Sequence, residues 1–95
     1  MRYKLVLTAN ARRDIQQAID WEEERAAGLG IRFFEDLESR LRDIALFPGF
    51  ASVRYDEVRC AGTKIFPYLI HYVIDARRPR VIVLRILHTS RKPEK

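Results

Sequence analysis

Polar and apolar residues alternate at the start of the chain. Tyr3, Leu5 and Leu7 fall on one side and Arg2, Lys4 and Val6 on the other, which predicts a short strand. Thr8 then stands where a helix N-cap belongs. The spacing changes there to three and four residues. Ala11, Ile15, Ala18 and Ile19 form an apolar stripe, and Gly28-Leu29-Gly30 closes this first helix. Phe33, Phe34, Leu37, Leu41 and Ile44 trace the buried face of a second helix, stopped by Phe47-Pro48-Gly49. Phe50 to Asp56 reads as a loop. Val58 to Ile65 reads as a strand in which Gly62 marks a bulge, and Phe66-Pro67 opens the next strand.

The last third carries the clearest signal. Residues 66–75 and 81–88 are rich in β-branched and aromatic residues and flank the basic turn Ala76-Arg77-Arg78-Pro79-Arg80, a hairpin signature. Strict alternation puts Ile70 and Ile74 on the same side as Ile82, Leu84 and Ile86. A helix hairpin covers only one face of a sheet, and this is the side assigned to it. His71 and Arg85 are then left on an open face, and His88 falls on the covered side by the same parity. The expected core is Ile15, Ile19, Phe33, Leu37, Leu41, Ile70, Ile82, Leu84 and Ile86. The fold class is α+β in two layers. A helix hairpin packs on one face of a four-stranded, mostly antiparallel sheet in the order β-α-α-β-β-β.

The 95 residues suit a single domain spanning 1–95, and a hydrophobic content of 47% sustains one packed core. The single cysteine, Cys60, excludes an internal disulfide and fits a reducing compartment; mid-strand, it reads as a small apolar residue. No stretch approaches the roughly 20 apolar residues of a membrane span, and no secretory signal is visible, so a cytoplasmic protein with no membrane partner is expected. One cysteine and two histidines are too few, and wrongly spaced, for a zinc site, so no metal or cofactor is expected. Glu22-Glu23-Glu24 reads as a solvated helix end.

Charge is unevenly spread. The first 50 residues hold eight Lys/Arg against nine Asp/Glu, and the remaining 45 hold ten against four. The net charge of +5 therefore belongs to the C-terminal half, which points to a polyanionic or acidic partner.

The order strand–helix–helix–three strands resembles the RelE/ParE superfamily of bacterial toxins from type II toxin–antitoxin modules. So do Phe66-Pro67-Tyr68-x-Ile70-x-Tyr72 and Val83-Leu84-Arg85-Ile86-Leu87-His88-x-x-Arg91-x-Pro93. Leu7-Thr8-x-x-Ala11-x-x-Asp14-Ile15, Gly28-x-Gly30-x-x-Phe33-x-x-x-Leu37 and Val53-Arg54-Tyr55-x-x-Val58-Arg59 agree with the same family. The resemblance covers nearly the whole chain. It implies a first strand lying beside the last, a cognate antitoxin that wraps the toxin, and contact with operator DNA only through that antitoxin. ParE-like members poison DNA gyrase, whereas RelE-like members cut mRNA on the ribosome. A helix hairpin of about 17 residues per arm, read from its periodicity, and a tail without a late tyrosine place this chain nearer ParE. The alternatives are a RelE-like endoribonuclease and a non-toxic basic binding module that keeps only the fold.

Metal-free RNA cleavage requires a base for the 2′-hydroxyl, a cation for the phosphorane and an acid for the leaving oxygen. Histidine titrates in the useful range, and arginine clamps phosphate. For that chemistry His88 and Arg85 are the catalytic candidates. For binding an antitoxin or a target, Arg54, Arg59, Lys64, His71, Arg85 and Arg91 are the candidates. Arg85 can equally pair with a carboxylate of its own chain. Parity sets Arg85 and His88 on opposite sides of a regular strand, so they meet at one phosphate only if the strand breaks near Leu87.

Overall fold

The computed structural model describes residues 2–90. Strand β1 (Lys4–Leu7) leads into helices α1 (Ala9–Arg25) and α2 (Leu29–Leu46) and a 3-10 turn at Pro48–Phe50. Strands β2 (Val53–Tyr55), β3 (Val58–Gly62), β4 (Tyr68–Asp75) and β5 (Arg80–His88) follow. The sheet order is β1-β5-β4-β3-β2. β1 runs parallel to β5, and the remaining pairs are antiparallel.

The expected four strands are thus five. Val53–Tyr55, read from the sequence as loop, forms an edge strand. Asp56 and Glu57 turn it into β3 with φ of +43° and +65°, the paired positive φ of a tight hairpin. An Asp-Glu pair carries none of the usual glycine or asparagine signal for such a turn, so the strand before it was hidden. β3 stops at Gly62 rather than Ile65, and β4 starts at Tyr68 rather than Phe66. No bulge falls at Gly62, which pairs regularly with Leu69.

Thr8 caps α1 as expected, its Oγ1 accepting from the Ala11 N–H at 3.1 Å. The helix hairpin closes on two glycines. Gly28 has φ +92°, which a side chain would resist. A Cβ on Gly30 would lie 2.9 Å from the Ile19 carbonyl oxygen, so only glycine lets the helices approach this closely. The acidic run at the end of α1 is not simply solvated. Glu23 accepts from the N–H groups of Gly28 and Gly30, placing a carboxylate at the N-terminus of α2. Glu22 is fully buried and accepts from the Tyr68 hydroxyl at 2.9 Å and from Arg25 at 2.8 Å. Its place on the stripe of Ala11 and Ala18 already aims it inward. The core supplies the donors that make such burial tolerable.

Asp36 is a second buried carboxylate. It accepts from the backbone N–H groups of Lys64, Ile65 and Phe66, which anchors the β3–β4 connection to α2. Among the described residues, no buried side-chain nitrogen or oxygen lacks a hydrogen-bond partner.

The core holds Phe33, Leu37, Ile44, Tyr68, Ile70, Tyr72, Val81, Val83 and Ile86, with Ile15, Ile19 and Leu41 partly buried against it. Phe34 is exposed, contrary to the periodic reading. Ile82 and Leu84 are also displaced from their expected places: Val81 and Val83 occupy the helix side, and Ile82 and Leu84 are half-buried. The cause is a register shift. His71 faces Arg85, but the next residue, Tyr72, faces Val83, so Leu84 is an extra residue in β5. Parity resets after it, which returns Ile86 to the covered side.

The bulge sits where β1 runs out. β1 pairs β5 only as far as Val83. Beyond that point α1 serves the edge of β5. The Thr8 hydroxyl donates to the Leu84 carbonyl at 3.0 Å, and Asp14 accepts the Ile86 N–H at 2.9 Å.

Candidate functional site on the open sheet face

The register brings Tyr55, Cys60, His71 and Arg85 into a row across β2 to β5, and Asp14 of α1 closes the row at the far edge. Cys60 faces His71 across one strand pair, and His71 faces Arg85 across the next. The Tyr55 ring lies 6.0 Å from the His71 ring, centroid to centroid. The Tyr55 hydroxyl is 3.0 Å from His71 Nδ1, and Cys60 Sγ is 3.4 Å from the same nitrogen.

Both neighbours are natural donors, so Nδ1 acts as acceptor and the ring proton sits on Nε2. Burial lowers the His71 pKa, and the positive charges of Arg85 and Arg54 lower it further against a smaller opposing effect of Asp14. His71 is therefore a neutral ring at neutral pH, presenting an N–H donor rather than a base. Burial raises the Cys60 pKa and outweighs the opposing charge of Arg54, so the thiol stays protonated and is a poor nucleophile.

Arg85 is held by its own chain. Its Nε and Nη2 grip Asp14 at 2.7 and 3.1 Å, a two-pronged ion pair with a largely buried carboxylate. That bond raises the Arg85 pKa.

His88 lies on the opposite face. Its ring stands edge-on to Tyr68 at 5.1 Å, and its Nδ1 accepts from the Ser90 N–H at 3.0 Å. The bulge at Leu84 does not bring His88 to Arg85, because parity resumes after it.

The other candidates disperse. Arg54 is exposed on β2. Arg59 donates to the Ala51 carbonyl at 2.6 Å, tying β3 to the segment before β2. Lys64 bonds Ser39 at 2.6 Å and pairs with Asp43 at 3.2 Å. Arg91 lies outside the described residues. Tyr55, Cys60 and Asp14 were not singled out as site residues. Reading Val53-Arg54-Tyr55 as a strand would have put Tyr55 beside His71, but the two positive-φ residues after it concealed that strand.

The described residues contain no group of three or more His, Cys, Asp or Glu side chains able to hold a metal. No described helix is long and apolar enough to cross a membrane.

Residues 5–93 match the family described as the ParE toxin of the type II toxin–antitoxin system, parDE. The chain belongs to this family. It is a toxin of the type II toxin–antitoxin class. Solved structures agree in fold. A chain of the chromosomal ParDE system of P. aeruginosa superposes with a TM-score of 0.80 at 14% identity, over 94% of this chain and 98% of that one. A chain of the E. coli RelBE toxin–antitoxin complex gives 0.72 at 16% identity, over 94% and 99%. One from the RelBE complex of Mycobacterium tuberculosis gives 0.67 at 22% identity, over 93% and 99%. No curated protein matches the chain. The family assignment bears out the RelE/ParE resemblance, and the neighbours include both branches of the superfamily.

Proposed function

We propose that the chain acts in the cytoplasm as a ParE-like inhibitor of DNA gyrase, held silent by a cognate antitoxin and meeting operator DNA only through it. The observation that carries the choice of target is the separation of the nuclease candidates. Arg85 is clamped by Asp14, and His88 packs against Tyr68 on the other face of the sheet. General acid–base catalysis requires hydrogen-bond reach at one phosphate. The pair with the right chemistry lacks that reach. The antitoxin follows from the family and from the solved relatives, which are described as parts of toxin–antitoxin systems.

A RelE-like ribonuclease is the second reading, favoured by the contact between Tyr55 and His71 on the open face. That pair offers an N–H and a hydroxyl, but no free base while Nδ1 is engaged.

The test offers purified, antitoxin-free protein two substrates: gyrase with relaxed plasmid, and translating ribosomes with mRNA. Loss of supercoiling with intact mRNA, unchanged in His71→Ala and His88→Ala, is the expected result. Codon-specific mRNA cleavage that disappears in His71→Ala would replace gyrase with the ribosome as target.

A further inference from the structure

The β2 edge of the sheet is held more loosely than the rest. The chain enters it from a pinned segment: the Pro48 carbonyl accepts from the Tyr72 hydroxyl at 2.6 Å, and the Ala51 carbonyl accepts from Arg59 at 2.6 Å. It leaves at Val58, which is buried in β3. Every residue from 52 to 57 is exposed. β2 is three residues long, meets β3 at two register positions and shifts register between them. Its turn keeps Asp56 and Glu57 at φ of +43° and +65°, a conformation that the glutamate side chain resists. A short, exposed strand closed by such a turn belongs to the least stable part of a fold.

One side chain ties this segment to the body of the sheet. Among the described residues 52–57, Tyr55 is the one whose side chain hydrogen-bonds, and its partner is His71 Nδ1 at 3.0 Å. β2 and β4 are not neighbours, because β3 lies between them. The Tyr55 side chain therefore reaches across β3 to β4, beside Cys60, whose Sγ lies 3.4 Å from the same nitrogen. A ring that spans a whole strand to reach its partner works as a strap. It gives β2 a tertiary contact independent of the two-position ladder.

The far end of the strap titrates. The groups facing His71 are Tyr55 and Arg54 of β2, Cys60 of β3, Arg85 of β5 and Asp14 of α1. A proton on Nδ1 ends the acceptance from Tyr55 and sets a positive charge near Arg85 and Arg54. Asp14 offsets little of that charge, since both its oxygens already bond Arg85. Arg54 is itself a β2 residue, so the repulsion acts on the strand that the strap holds.

We propose that residues 52–57 form an edge flap that opens locally, hinged at Ala51 and Val58, and that the Tyr55–His71 contact holds it shut until His71 is protonated. Opening withdraws Tyr55 from the open face and bares the outer edge of β3. The β3–β4 and β4–β5 ladders and the helix layer stay in place. The inference does not depend on which cellular process the toxin stops.

The experiment uses the full chain and native-state hydrogen exchange followed by NMR. Rates are expressed as protection factors, so that the intrinsic pH dependence of exchange drops out. At neutral pH the protected amides of residues 53–59 are expected to exchange faster than those of β4 and β5. They should also show little dependence on added denaturant, because a local opening exposes little surface. Tyr55→Phe, a change at an exposed ring that keeps the aromatic packing, is expected to lower their protection about three- to tenfold, the equilibrium equivalent of one hydrogen bond. His71→Gln retains an acceptor but cannot titrate. It should keep protection near wild type at neutral pH and abolish the fall that wild type shows as pH drops below the ordinary histidine value of 6.5. Amides at 53–59 that match β4 and β5 in protection and denaturant dependence would overturn the flap, as would amides there with no protection at all in wild type. Unchanged protection in Tyr55→Phe would overturn the strap. An acid-induced fall that persists in His71→Gln would overturn His71 as its trigger.

Discussion

The two faces of β4 share one backbone and behave as different materials. On the covered face Tyr68, Ile70 and Tyr72 are almost completely excluded from water, and each tyrosine hydroxyl has a partner: Glu22 for Tyr68 and the Pro48 carbonyl for Tyr72. On the open face Leu69, His71 and Val73 are half-buried, and the polar contacts run sideways to Tyr55 and Cys60. A covered face tolerates polar groups only when each is satisfied. An open face can keep groups whose protonation and partners change. The stability of this protein should therefore reside on one face and its responsiveness on the other.

The largest expected effect breaks the covered side. Phe33 is fully buried, with its ring edge-on to Phe66 at 5.8 Å and tilted against Tyr68 at 4.6 Å. Phe33→Ala should cost about 3–5 kcal/mol in urea unfolding, the range for a buried aromatic cut to a methyl. Leu69→Ala on the open face should cost much less, because its side chain is already partly in water. Equal losses for the two substitutions would show that something covers the open face in solution.

Asp36 comes next. Removing its carboxylate in Asp36→Ala strands the N–H groups of Lys64, Ile65 and Phe66. Water can reach part of this loop, since Ile65 is exposed. A loss of about 2–3 kcal/mol is expected on the scale of unsatisfied buried donors. Hydrogen exchange should quicken at residues 64–66 before it quickens in β4, and uniform acceleration would contradict an anchoring role confined to this connection.

Arg85 sharpens the comparison, because it belongs to the open face yet is tied to the helix layer. Its side chain is 42% exposed, so its pair with Asp14 is discounted for solvent screening. Arg85→Ala should cost about 1 kcal/mol. Asp14→Ala should cost more, because the Ile86 N–H would lose its acceptor as well. The order of the two losses is the measurement. If Arg85→Ala were the more damaging to stability, the ion pair and not the capping of the β5 edge would hold this corner.

The regular parts of this architecture were legible in the sequence. Alternation in residues 68–75 gave the right faces for β4, and the stripes gave both helices, because nothing interrupts the period there. The first strand does lie beside the last, as the family resemblance implied. Three local events were illegible. The Asp56-Glu57 turn hid β2, since Asp tolerates positive φ but Glu57, which also adopts it, gives no such signal. The bulge at Leu84 shifted Ile82 and Leu84 off the helix side, and the groups that bond to β5 around it, Thr8 and Asp14, lie 76 and 71 residues earlier in the chain. Glu22 read as solvent-exposed although its place on the stripe aims it inward, since the partner that makes its burial tolerable, the Tyr68 hydroxyl, is 46 residues away. Periodicity assigns faces, but it cannot report a partner distant in the chain. The candidate site suffered most from this: His71 and Arg85 were identified, while Tyr55, Cys60 and Asp14, which determine their chemistry, were not.

The smallest expected effect tests the open face through its acid response. Burial, then Arg85 and Arg54, hold the His71 pKa below the ordinary value of 6.5. In the unfolded chain the ring takes up a proton near that ordinary value, and in the folded chain it does so only at lower pH. Between the two values the unfolded state binds more protons, so stability falls as pH falls through this window. Above about pH 6.5 both states hold a neutral ring, and His71 adds no pH dependence. Protonating His71 also ends its acceptance from the Tyr55 hydroxyl, because Nδ1 then carries hydrogen. His71→Gln should therefore flatten the stability profile below pH 6.5 and leave it unchanged above. Exchange broadening of the Tyr55 ring signals should accompany the transition in wild type and be absent in the variant. A wild-type profile whose extra slope lies above pH 6.5 would mean that His71 is stabilised in its charged form, with Asp14 rather than the two arginines setting its environment.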